Sequence, residues 1–154
     1  MIVPALPFRP AARAASVAAG IGDGAMWNFV FAIGRVALVA LFIKSGAEKL
    51  IDPSGLTGML AAKAFPMPKL FAYAAGIAEV SLGILVAVGW QARIAAFGLI
   101  AFTIVATLLA HGYWDMTGSA RRANEAAFWK NLAIIGGLMM LIASGAGRFS
   151  VDRR

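Results

Sequence analysis

The chain has 154 residues, of which 61% are hydrophobic and 14% are charged, and its mean hydropathy is +0.81. Soluble domains are about 45–50% apolar and about 25% charged, so this composition excludes an ordinary water-soluble globule and indicates one compact domain solvated by lipid. The absence of cysteine excludes disulfides and thiolate metal sites, and the single histidine, His111, excludes a multi-histidine metal site within one chain. The net charge of +7 comes from scattered Lys and Arg residues rather than a basic stripe, which argues against nucleic acid as a partner.

Residues 1–24 are rich in proline, glycine and alanine, and they lack a continuous apolar core after a basic start. Because they make a poor signal peptide, we predict a flexible N-terminal arm, with a short interfacial helix around residues 10–19 as an alternative. The first apolar span covers about residues 25–49. Trp27 opens this span, and the Asp-Pro-Ser-Gly turn at residues 52–55 closes it.

A short amphipathic helix is predicted on the membrane surface after the first span, where apolar residues recur at helical spacing over residues 56–65 and Pro66 ends the pattern. Three further apolar spans follow, at about residues 69–90, 94–113 and 126–146. Each approaches the ~20 residues that a helix needs to cross ~30 Å of hydrocarbon. The sequence therefore predicts an all-α, four-helix transmembrane bundle over residues 25–147, followed by a polar tail at residues 148–154.

The orientation of the predicted bundle follows only weakly from its charges. An even number of spans places both termini on one side of the membrane, but similar numbers of Lys and Arg flank the spans on both sides. The positive-inside rule therefore does not separate the two orientations. Arg9 and Arg13 precede the first span, which usually sets topology, and they favour cytoplasmic termini.

Two opposite charges, Arg35 and Glu79, lie deep within the first and second spans. An ionised side chain at a helix centre costs about 2.5–3.5 kcal/mol on insertion scales, so such residues usually have a partner or a function. Counting 1.5 Å per residue from the loop that joins the two spans gives depths that differ by ~6 Å, within reach of an arginine side chain. We predict a buried ion pair between them that sets the helix register. The alternative interpretation makes Glu79 part of a proton relay or of a polar pocket for a quinone-like ligand.

A second polar cluster is predicted at the membrane face where the first span ends and the fourth begins. His111 and Asp115 are four residues apart at the end of the third span, and Lys49 and Asn131 lie at the same face. A carboxylate one helical turn from an imidazole orients it for proton exchange or for a hydrogen bond to a ligand carbonyl. The alternative is an ordinary interfacial His–Asp contact within an aromatic belt. Neither interpretation identifies a catalytic residue.

These features, taken in order along the chain, resemble the DoxX family of small four-helix membrane proteins. The resemblance spans about residues 33–152 and excludes the N-terminal arm. The segments that carry it are GRVALVALFIKSGAEKLIDPSG, AEVSLGILVAVGWQARIAA, ATLLAHGYWD, WKNLAIIGGLMML and GAGRFSVD. Within them the residues that fit the family pattern are Arg35, Gly46, Lys49, Pro53, Glu79, Gly83, Gly89, Arg93, His111, Asn131 and residues 147–152.

The resemblance implies a four-helix bundle in the bacterial inner membrane. Family members include a subunit of an archaeal thiosulfate:quinone oxidoreductase and proteins linked to oxidative-stress complexes. We therefore expect a non-catalytic or accessory subunit of a redox or oxidative-stress complex, with a polar pocket that contacts quinone and with no metal. The first alternative is a quinone-dependent oxidoreductase core that uses Glu79 and His111 for proton transfer. The second is a small transporter or channel-like oligomer gated near Arg35 and Glu79. The expected partners are the lipid bilayer, redox-complex subunits and further copies of the chain.

Overall fold

The computed structural model describes residues 10–152, with side chains from residue 24 onward. This part of the chain contains five α-helices and no β-strand. In chain order the helices are α1 (Pro10–Ile51), α2 (Ser54–Ala62), α3 (Pro68–Val88), α4 (Ala92–Ala110) and α5 (Gly118–Ser144). The all-α fold predicted from the sequence is confirmed.

Four of the helices are long and apolar enough to cross a membrane. The spans are Gly24–Ile51, Pro68–Val88, Ala92–Ala110 and Gly118–Ser144. The shortest has 19 residues, close to the ~20 that cover the hydrocarbon core. Helix α2, with nine residues, is the short helix predicted between the first two spans. The four-helix transmembrane bundle is therefore confirmed.

Helix α1 extends well before its membrane-spanning part. Residues 1–9 of the predicted arm lie outside the described residues, but from Pro10 the backbone is helical and continues without a break into the span. Proline is favoured at the first helical position, and alanine, the best helix former, dominates the residues that follow. This segment is thus continuous with the first spanning helix rather than a separate interfacial helix.

The start of α2 is fixed by a local hydrogen bond. The Asp52 carboxylate accepts a hydrogen bond from the backbone N–H of Ser54 at 3.0 Å. Hydrogen bonds from the hydroxyl and the backbone N–H of Ser54 hold the pKa of the Asp52 carboxyl below its ordinary value. Such a carboxylate occupies the positive end of a helix macrodipole, where negative charge is stabilising.

The core of the bundle lies where the four spanning helices meet. Val39, Val86, Leu99 and Leu138, one from each spanning helix, are fully buried. Many other large apolar side chains are exposed on the outer surface, which is the pattern of a bundle solvated by lipid rather than by water.

Helices α1 and α3 approach each other closely because glycines face one another at their crossing. A Cβ atom on Gly46 would lie 2.8 Å from the Gly76 backbone oxygen and 2.8 Å from the Glu79 Cβ. One on Gly83 would lie 2.8 Å from Cγ1 of Ile43. Small residues of this kind let helix backbones approach within a membrane, where close van der Waals packing drives association.

We expect Gly46→Ala to destabilise the protein by about 1–3 kcal/mol, the usual effect of overpacking, because the added methyl group has no space between the two backbones. Thermal unfolding in detergent measures the effect. Gly34→Ala, in the same helix, is the matched control, since a Cβ there has no other atom within 4 Å. We expect the control to leave the melting temperature unchanged or slightly raised. Equal melting temperatures for the two variants would contradict the close helix crossing.

Candidate functional site

A cavity of about 520 Å³ lies within the bundle near the end that α2 covers. All five helices contribute to its wall, which is mostly apolar. Its volume falls within the ~300–1,000 Å³ typical of small-molecule sites. The polar residues in the wall are Ser45, Lys49, Glu79, Thr103, His111, Lys130 and Asn131.

An ion pair between Lys49 and Glu79 forms one wall of the cavity. The Lys49 ammonium donates to Glu79 Oε2 at 2.8 Å and to Ser45 Oγ at 2.6 Å. The Ser45 hydroxyl lies 3.5 Å from the other carboxylate oxygen. Only 5% of Glu79 is exposed, so its charge depends on this lysine rather than on solvent.

The predicted ion pair between Arg35 and Glu79 is wrong. The glycine contacts between α1 and α3 fix an antiparallel register in which Arg35 lies beside residues 87–89, whereas Glu79 lies beside Ser45. About ten residues of α3, or ~15 Å at 1.5 Å per residue, therefore separate the two side chains. The sequence estimate of their depths took the facing ends of α1 and α3 as level. With Glu79 beside Ser45, the start of α3 instead extends about five residues, or ~8 Å, past the end of α1 in space.

Arg35 instead binds backbone carbonyl groups at the opposite end of the bundle. Its Nε donates to the Ala87 oxygen at 3.2 Å and its Nη2 to the Phe149 oxygen at 2.7 Å, while Nη1 donates to the Ala146 oxygen. Ala87 lies in the last turn of α3, and Ala146 lies just beyond α5. A guanidinium at these positions satisfies carbonyls without helical partners and complements the negative ends of two helix dipoles.

The chain beyond α5 folds back onto the α3–α4 hairpin beside Arg35. The backbone N–H groups of Val151 and Asp152 donate to the oxygens of Val88 and Gly89 at 3.1 and 3.2 Å. The Asp152 carboxylate accepts a hydrogen bond from the N–H of Gln91 at 2.6 Å. We call Arg35 together with residues 145–152 the C-terminal clasp. It includes the described part of the predicted polar tail, whereas residues 153–154 lie outside the described residues.

Glycine is required at the centre of this clasp. Gly89 has a φ of +74°, and a Cβ there would lie against Ser150 and 3.0 Å from Nη1 of Arg35. Only glycine both adopts this left-handed conformation at little cost and lets the returning segment approach so closely. The structure thus joins into one unit several residues that fit the family pattern, namely Arg35, Gly89 and residues 147–152.

The predicted contact between His111 and Asp115 is also wrong. Helix α4 ends at Ala110, so the two residues do not share one helical face, and Asp115 is exposed in the following turn. Nδ1 of His111 lies 3.1 Å from Oδ1 of Asn124, in the second turn of α5. Asn124 lies between the predicted spans at about residues 94–113 and 126–146, so it was missed.

A chain of hydrogen bonds joins α5 to α4 at the cavity. Asn131 Nδ2 donates to Thr107 Oγ1 at 2.8 Å. The Thr107 hydroxyl donates to the Thr103 oxygen, and the Thr103 hydroxyl donates to the Leu99 oxygen, both at 2.6 Å. These bonds fix the position of the Asn131 amide within the cavity wall.

An aromatic cluster borders the cavity end of α4 and α5. Tyr113, Trp114, Phe128 and Trp129 form successive ring contacts with centroids 5.1–5.9 Å apart. The guanidinium of Arg121 lies 5.5 Å from the centroid of the Tyr113 ring. Such rings are typical of the boundary between lipid and water, so this cluster marks one membrane surface.

Comparison with known proteins identifies the family. The DoxX family pattern matches residues 30–112, which contain most of the first span and all of α2 and of the second and third spans. The chain belongs to the DoxX family. The match includes Arg35, Lys49, Glu79 and His111, so both the arginine of the clasp and most of the polar cavity wall lie within the family region.

Several relatives of this DoxX-family chain are membrane proteins. It is 37% identical over 131 residues to the inner membrane protein YphA of Escherichia coli K12, covering 85% of this chain and 94% of the relative. It is 29% identical to the membrane protein Rv3486 of Mycobacterium tuberculosis H37Rv, covering 78% and 77%. The inner membrane protein YqjF of E. coli K12 is 27% identical, covering 79% and 88%. No solved structure matches. With its four apolar helices, the chain is a multi-pass inner-membrane protein.

The structure brings together four of the six residues predicted for functional sites. Glu79, Lys49, His111 and Asn131 line the same cavity, whereas the sequence assigned Glu79 to a different cluster from the other three. The two remaining residues, Arg35 in the clasp and the exposed Asp115, do not line it.

Proposed function

We propose that this DoxX-family protein is a non-catalytic membrane subunit of a redox or oxidative-stress complex and that its cavity binds a quinone-like amphiphile. The observation that carries the proposal is the cavity itself. An apolar wall built from five helices surrounds a small set of convergent polar groups, which is the usual composition of a site for a hydrophobic ligand with a polar ring.

The shape and position of the cavity suit a lipid-soluble ring compound. Side chains of α2 and the following turn, including Leu60 and Phe65, cover it on one side, and Phe102 contributes an aromatic wall from α4. The polar groups of Lys49, Glu79 and His111 come from three different elements and meet in this apolar surround. A quinone ring offers flat apolar faces to such a wall and polar substituents at its edge.

The subunit role rests on the family relationship, because one DoxX-family member is a subunit of a thiosulfate:quinone oxidoreductase. The names of YphA and YqjF state only membrane location, so the complex is part of the proposal.

We further propose that the N-terminal end of the first span and residues 147–152 face the cytoplasm. These ends lie together, since a Cβ on Gly147 would be 3.4 Å from the Phe31 Cβ. A fluorescent or phosphatase reporter fused after residue 154 reads out that orientation.

The proposal predicts that quinone binds the purified protein and that filling the cavity weakens binding. Ala106 lines the cavity, and Ala106→Phe places a ring within it. Ala101, in the same helix, is exposed and does not line the cavity, so Ala101→Phe is the matched control. Native mass spectrometry and calorimetry with a short-chain quinone in lipid nanodiscs measure binding. We expect at least about a tenfold loss of affinity, or ~1.4 kcal/mol, for Ala106→Phe and no change for Ala101→Phe.

Two results would remove parts of this proposal. Absence of co-purifying quinone together with no binding by the unmodified protein would eliminate the ligand role. Mild-detergent pull-downs that return no redox protein would eliminate the subunit role, whatever the cavity binds.

A further inference from the structure

The hydrogen bonds around His111 determine which of its ring nitrogens carries the proton. Asn124 Nδ2 donates to the Ala120 oxygen at 3.0 Å and lies 3.3 Å from the Met116 sulfur. Because only the nitrogen of an amide donates, Asn124 must present its oxygen to Nδ1 of His111. Nδ1 is therefore the protonated nitrogen of the neutral ring, and Nε2 carries a lone pair. His111 lines the cavity, and no hydrogen bond of Nε2 is found within the described residues, so in the neutral ring this nitrogen is an acceptor open to a ligand.

The Asn131 amide also offers an acceptor. Its Nδ2 donates one of its two hydrogens to Thr107 Oγ1, so the groups left over are the lone pairs of Oδ1 and the second N–H. The hydroxyl hydrogens of Thr107 and Thr103 are already donated to backbone oxygens one turn back. Thr103 therefore offers the cavity lone pairs and no hydrogen.

All three N–H groups of the Lys49 ammonium have acceptors within the protein. Its Nζ donates to Ser45 Oγ, to the Ser45 backbone oxygen at 3.4 Å and to Glu79 Oε2, which accounts for three N–H groups. The ionised Glu79 carboxylate only accepts hydrogen bonds. The other lysine of the wall, Lys130, is an exposed residue on α5.

We infer that the cavity selects a ligand whose ring carries a hydroxyl group, as in a quinol or a long-chain phenol, over the corresponding quinone. This inference rests on the proposed ligand-binding function and specifies its chemical class. The interior of the cavity offers acceptors on His111, Asn131 and Glu79. A hydroxyl donates to any of them, whereas a quinone carbonyl only accepts and leaves them unpaired. A site built to hydrogen-bond a hydroxyl discriminates strongly against an analogue without one.

The test compares ligands that differ in the donor alone. The full chain in lipid nanodiscs is titrated by calorimetry with para-dodecylphenol and with its methyl ether, and then with decylquinol and decylquinone under anaerobic conditions. We expect the phenol and the quinol to bind at least about tenfold more tightly than the ether and the quinone, a factor that corresponds to ~1.4 kcal/mol. Equal affinity within each pair, or tighter binding of the ether and the quinone, would overturn the inference while leaving the proposed binding function intact. If none of the four compounds binds, the proposed function fails and the inference fails with it.

Asn124→Leu tests the tautomer argument separately. Asn124 does not line the cavity, so this change leaves the wall in place but releases the proton of His111 to either ring nitrogen. We expect the preference for phenol over its ether to fall severalfold, with binding of the ether unchanged or improved. An undiminished preference in this variant would contradict the assignment of Nε2 as the selecting acceptor.

Discussion

Replacing Arg35 with methionine is expected to destabilise the bundle by about 3 kcal/mol, roughly the value of one or two charge-assisted hydrogen bonds in a protein interior. The guanidinium donates to three backbone oxygens, and it is 5% exposed. Its loss leaves carbonyls at the ends of two helices without donors and releases the segment that covers the α3–α4 hairpin. Thermal and detergent-induced unfolding measure the loss. We expect Arg35→Lys to recover only part of it, because an ammonium lacks the fork geometry that reaches all three carbonyls.

An engineered disulfide separates the role of the clasp from a general effect of the mutation. The chain has no cysteine, so Phe31→Cys with Gly147→Cys introduces one defined pair. The two Cβ atoms would lie 3.4 Å apart, close to the ~3.5–4.5 Å usual for disulfides. Gly147 has a φ of +77°, so a cysteine there is strained, and we expect the tether to restore only part of the stability of Arg35→Met when oxidised and to lose that effect when reduced. Lys44→Met, which removes one partner of an exposed ion pair, is the matched control. If Arg35→Met is as stable as the unmodified protein, or as stable as Lys44→Met, the clasp has no structural role.

The spans could be predicted from the sequence because lipid imposes a simple requirement on them. A helix in hydrocarbon must be apolar for about 20 residues, and the predicted spans at 69–90 and 94–113 lie within three residues of α3 and α4. Helix α5 differs, because it begins at Gly118 rather than near residue 126. Its first two turns are polar, and hydropathy detects only the part of a helix that lipid surrounds.

The contacts between helices could not be predicted as well, because they depend on the stagger of neighbouring helices and on where each helix ends. Nothing in the apolar pattern fixes how far the start of α3 extends past the end of α1 in space. That offset determines that Lys49 rather than Arg35 contacts Glu79. The end of α4 at Ala110 similarly separates His111 from Asp115. The glycines at the crossing of α1 and α3 carried the missing information, since close approach fixes the register once both partners are known.

Lys49 and Glu79 are expected to show strong thermodynamic coupling. Lys49→Met and Glu79→Gln each leave a polar or charged partner facing a mostly apolar cavity, and we expect each to lower the free energy of unfolding by about 2–4 kcal/mol. The double variant removes both charges together. It is expected to lose at least about 1 kcal/mol less than the sum of the single variants, which a double-mutant cycle by unfolding in detergent measures.

The Lys44–Glu48 pair gives the matched control for this cycle. It lies in the same helix as Lys49, at 2.5 Å, but its side chains are 69% and 63% exposed, so we expect a coupling of only about 0.2–0.5 kcal/mol. Additive effects of Lys49→Met and Glu79→Gln would show that the two charges do not stabilise each other. If both single variants keep full stability and lose ligand affinity, then the pair serves the ligand rather than the fold. The cycle and the binding titrations together therefore assign these two charges to structure, to ligand recognition, or to both.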